Sequence, residues 1–79
     1  MKIFTVGSKS FVTSFQLAGV PGLISETPQK ALNEITRLTD DPDVGLILVS
    51  DDITESINDE LTSLRAQKST LVFALPAAG

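Results

Sequence analysis

Val44-Gly45-Leu46-Ile47-Leu48-Val49-Ser50, "VGLILVS", is apolar at every position before its closing serine. A run this continuous, rich in branched side chains, predicts a strand covered on both faces; a one-sided antiparallel strand would alternate apolar and polar residues. It is therefore read as the central strand of a sheet. On its carboxyl side, Ile53, Ile57, Leu61 and Leu64 recur at helical spacing. Asp52, with Glu55 three residues on, has the form of a capping box in which Asp replaces Ser or Thr. A second apolar run, "STLVFALP" at Ser69 to Pro76, then reads as another strand, and "AAG" ends the sequence without further pattern.

On the amino side of the central run, "ETPQKALNEITRL" reads as a helix. Thr27 is its cap, Pro28 takes the first helical position, and Ala31, Leu32, Ile35 and Leu38 form its apolar stripe. Before it, "GLIS" at Gly22 to Ser25 reads as a short strand. At the start, "KIFTV" at Lys2 to Val6 is a strand stopped by Gly7, and Phe11, Phe15 and Ala18 recur at helical spacing. Ser10 is positioned to cap that helix. Gly19 suits the left-handed residue that closes it, and Pro21 forbids continuation. The order is βαβαβαβ, which with right-handed crossovers predicts one domain over residues 1–79. Its fold is α/β, a Rossmann-like three-layer sandwich with a four-stranded parallel sheet in the order 2-1-3-4 and helices on both faces.

Composition limits what such a domain does. With 79 residues, 42% hydrophobic and 20% charged, the chain is apolar enough to fold and too interrupted by polar residues to span a membrane. Zero cysteines exclude disulfide bracing, and the missing histidine removes the side chain that titrates near neutral pH. A net charge of −4 without a basic cluster is a poor footprint for nucleic acid. The start, "MKIFTVGSK", has no long apolar signal region, so a cytoplasmic setting is expected.

Three short stretches suggest chemistry and are read more simply. Gly7-Ser8-Lys9-Ser10 opens a helix, whose free N–H groups attract anions. It lacks the glycine pattern of a P-loop or of a dinucleotide fingerprint, so it reads as a structural turn. Asp51 and Asp52 follow the central strand, where open α/β sheets bind ligands and phosphoacceptor receiver domains carry an aspartate. Receivers also need acids after the first strand and a lysine after a later one. This chain has Gly7-Ser8-Lys9 and Leu75-Pro76 at those places. A receiver-like domain binding phosphate or magnesium is thus the alternative reading, with helix capping the simpler one. Asp40, Asp41 and Asp43 lack the glycine and distal glutamate of a calcium loop and read as a solvated turn. Ser8, Ser10, Ser14 and Ser50 have no histidine to activate them, so no catalytic residue, cofactor site or metal site is assigned.

Taken together, Val6-Gly7, "FQLAGV" at Phe15 to Val20, "GLILVSDDI" at Gly45 to Ile53 and the late "LP" resemble the F subunit of the V-type and archaeal A-type rotary ATPases. Gln16 stands where that family often has arginine. Members usually continue past the last strand into a tail with a helix, so no tail-dependent regulation is expected of a sequence ending at Gly79. The resemblance implies a non-catalytic central-stalk component bound to the coiled-coil D subunit of the rotor, peripheral to the membrane and without a cofactor. Phe15, Gln16, Leu17, Ala18, Gly19 and Val20 form the candidate partner interface. Phe15 and Ala18 fit an inner stripe, while Leu17 and Val20 point elsewhere.

Overall fold

The computed structural model describes residues 1–76; the patternless Ala77-Ala78-Gly79 lies outside the described residues. Strand β1 (Lys2–Gly7) leads to helix α1 (Lys9–Gln16), strand β2 (Gly22–Ile24), helix α2 (Pro28–Thr39) and strand β3 (Val44–Ser50). The chain continues through helix α3 (Asp51–Thr54), a 3₁₀ turn (Glu55–Ile57), helix α4 (Asn58–Gln67) and strand β4 (Leu71–Leu75). All three strand pairings are parallel, in the order β2-β1-β3-β4, so β3 takes the inner place expected of it.

Several local signals act as expected. Thr27 caps α2, its Oγ1 accepting the Lys30 N–H at 3.3 Å, with Pro28 at the helix start. The end of α1 is closed by a Schellman pair: Val20 N–H donates to the Phe15 carbonyl and Gly19 N–H to that of Gln16. Gly19 adopts φ +88°, where a side chain would be strained.

Two capping assignments are corrected. The cap of α1 is Ser8, two residues before Ser10, and its Oγ accepts the Phe11 N–H. The helix starts as soon as β1 ends, so Ser10 is already inside it. After β3 the capping position is Ser50, whose side chain makes no capping bond, and the Asp52–Glu55 box does not form because both residues lie within the helical turns. The helical stretch read from Ile53 to Leu64 as one helix is also divided, into α3, the 3₁₀ turn and α4. Ile53, Ile57 and Leu61 nonetheless all reach the core, because their spacing of four keeps them on one side through the change of winding.

The two faces of the sheet are covered unequally. Val6, Ile47, Val49 and Val72 project toward α2, α3 and α4 and form one cluster with Ala31, Ile35, Ile53, Ile57 and Leu61. On the opposite face, among the described residues, only α1 is present, over β1 and β2, where Phe11 and Val12 are buried.

Candidate functional site

At the carboxyl end of the sheet, Gly7 and Ser50 end the two inner strands β1 and β3, and Ser25 follows directly on the edge strand β2. A Cβ on Gly7 would lie 2.8 Å from Ser50 Oγ and 2.9 Å from Phe11 Cδ2, so this glycine lets α1 press against β3. Among the described residues, the buried hydroxyls of Ser25 and Ser50 have no hydrogen-bond partner. Burying a hydroxyl in this way costs about 1–3 kcal/mol. Ser8 Oγ is engaged in capping, and Ser14 Oγ donates to the Ser10 carbonyl at 2.8 Å. The loop thus spends its polar groups on its own helix.

The other residues considered for chemistry are dispersed. Asp51 and Asp52 are exposed in the first turn of α3, where their charge suits the helix N-terminus. Asp41 accepts the Asp43 N–H at 2.9 Å, and Asp40 pairs with Lys68 at 2.7 Å. Among the described residues no three carboxylates gather as a metal-binding group, and no helix is long and apolar enough to cross a membrane.

The stretch Phe15 to Val20 is the end of α1 and its Schellman turn. Phe15 is half-buried and packs against Phe11 with ring centroids 5.2 Å apart and the ring planes tilted by 55°. Leu17 is 87% exposed, while Gln16, Ala18 and Gly19 are exposed and Val20 half-buried. Ala18 therefore leaves the inner stripe assigned to it, because α1 ends at Gln16.

A larger apolar surface lies beside this stretch. On the α1 side of the sheet, Leu46 stands opposite Leu71, Leu48 opposite Phe73 and Ser50 opposite Leu75. Leu71 and Phe73 are 56% and 52% exposed, and Leu46, Leu48 and Leu75 are half-buried. β3 is central in its pairing but, among the described residues, covered on one face only. Phe11, Ser14 and Phe15 of α1, with Leu75 and Pro76, bound a groove of about 310 Å³ at one end of this surface. At the β4 edge, Arg65, Lys68 and residues 69–73 line a second concavity of about 250 Å³, where Arg65 Nε donates to the Val72 carbonyl at 3.0 Å. Sequence reading missed this surface, since an unbroken apolar run looks the same whether one side or both are covered. The signal that could have found it was the helix count: three crossovers in the order 2-1-3-4 place two on one face and one on the other.

Residues 3–79 match the family model described as ATP synthase (F/14-kDa) subunit. The chain belongs to this family. Among its relatives, the F subunit of an A-type ATP synthase in Methanocorpusculum labreanum is 40% identical over 58 residues, covering 72% of this chain and 58% of the relative. Proteins of the same name in Methanococcus maripaludis and Methanococcus aeolicus are 32% and 33% identical over 66 residues, 82% of this chain and 67% of each relative. The matched part of this chain thus spans about three-fifths to two-thirds of the relatives' length. Family membership agrees with the resemblance read from Val6-Gly7, Phe15 to Val20 and Gly45 to Ile53.

Proposed function

We propose that this chain is a non-catalytic rotor component of an A/V-type ATPase, held on the coiled-coil D subunit of the rotor, and that it works in the cytoplasm beside the membrane. The observation that supports the reading is the family match from residue 3 to residue 79, running through every element of the sheet. The role is mechanical. Docking a rigid α/β domain on a long coiled coil removes apolar surface from water at about 25 cal/mol per Å², before the costs of association. Phe15 to Val20 contribute part of the contact, with the exposed Leu17 as its most accessible apolar group.

Co-expression with a coiled-coil rotor partner of this kind tests the proposal. A stable complex is expected on size-exclusion chromatography, together with no ATP turnover by the isolated chain. Failure to form a complex, or magnesium-dependent capture of a phosphoryl analogue at Asp51 or Asp52, would contradict it.

A further inference from the structure

Among the described residues no helix lies over the apolar face of β3 and β4, and the surrounding structure defines the shape of an occupant. Its side-chain positions, Leu46, Leu48, Leu71, Phe73 and Leu75, carry no charge. Strands about 4.8 Å apart make a two-strand strip roughly 10 Å wide, the diameter of one α-helix, and the five residues of β4 match about three helical turns. α1 already lies on the neighbouring half of the same face, so a second helix would complete the layer. A strand is disfavoured, since Arg65 occupies the outward Val72 carbonyl to which an added strand would pair.

We infer that this face binds one amphipathic α-helix of a partner, laid beside α1 with its apolar stripe on Leu48, Leu71 and Phe73 and an acidic flank toward Arg65. Resting on the function proposed above, the inference assigns that helix to the coiled-coil component of the rotor. Charge supports an acidic flank: Arg65 uses its Nε–H on Val72, so the terminal NH2 groups of its guanidinium can meet a carboxylate, whereas Lys68, in the same concavity, is already paired with Asp40. A second copy of this chain fits less well. The exposed parts of these side chains amount to roughly 300 Å² per copy, so a symmetric pair would bury about 600 Å², half of what a stable interface needs. A long helix extends its contacts onto α1 and the Arg65 edge.

The experiment measures affinity of the full chain for the coiled-coil D subunit by calorimetry, alongside sedimentation of the chain alone. Phe73→Asp is expected to weaken binding at least thirtyfold and Arg65→Glu three- to tenfold at low salt, with Asn33→Asp on α2 within twofold of wild type. Circular dichroism melts check folding, and the milder Leu71→Ser/Phe73→Ser pair replaces Phe73→Asp if that variant unfolds. Wild-type affinity in both β4 variants would overturn the assignment of this face and leave the rotor reading intact. No binding by the wild-type chain would overturn the rotor reading and this inference with it. A wild-type dimer dissolved by Phe73→Asp would replace the partner helix with a second copy.

Discussion

The two faces of the sheet both carry apolar side chains and end in different states. Ile47 and Val49 point toward α2, α3 and α4 and are fully buried, whereas Leu46 and Leu48, alternating with them on the same strand, are only partly covered. The difference arises from topology. A parallel sheet in the order β2-β1-β3-β4 has two rightward crossovers and one leftward, so among the described residues one face receives α2 and the α3–α4 segment while the other receives α1 alone. Hydrophobicity along a strand therefore reports what must be covered, and the connections report what the chain covers by itself.

The comparison is tested most severely by Ile47→Ala on the covered face. Removing a fully buried side chain from the core cluster is expected to cost about 2–5 kcal/mol and to lower Tm by about 10 °C or more in calorimetry, given about 4–8 °C per kcal/mol at this size. A loss as small as that of a surface substitution would show that this face is not the core. Gly22→Ala comes next. Its new methyl group would meet Thr5 Oγ1 and lie 2.7 Å from Val12 Cγ1, where α1 presses on β1 and β2, and overpacking of this kind costs about 1–3 kcal/mol. Denaturant midpoints equal to wild type would mean that α1 is loosely seated.

On the half of the α1 side of the sheet that no described helix covers, Phe73→Ala is expected to destabilise the isolated chain by less than about 1 kcal/mol, because Phe73 is already 52% exposed. A loss comparable to that of Ile47→Ala would mean that the face is covered within the free chain. The smallest effect is expected of Ser50→Ala, which removes a buried hydroxyl without a partner among the described residues. The outcome is neutral to about 1 kcal/mol more stable, and clear destabilisation would show that the hydroxyl is bonded.

Much of this architecture is legible in the sequence. The alternation of strands and helices follows from their hydrophobic periodicities, and the start of α2 from Thr27 and Pro28, because these signals depend on residues close in sequence. The cap of α1 is misplaced by two residues in that reading. Ser8 and Ser10 are chemically equivalent, and only the abrupt end of β1 selects the first. The division between α3 and α4 is not readable either, since Ile53, Ile57 and Leu61 keep their spacing through the 3₁₀ turn. The exposed patch at Leu71 and Phe73 depends on which helix crosses which face, a property of the assembled sheet that no local pattern encodes.

Methyl NMR of the chain, titrated with the unlabelled coiled-coil partner, distinguishes the two faces in one spectrum. The leucine methyls of residues 46, 48, 71 and 75 should shift and lose their exposure to a soluble paramagnetic probe, while those of Ile35, Ile47 and Ile57 stay in place. Shifts confined to α2, α3 and α4, with the β4 leucines still open to the probe in the complex, would contradict the division of the sheet into a finished core and a docking face.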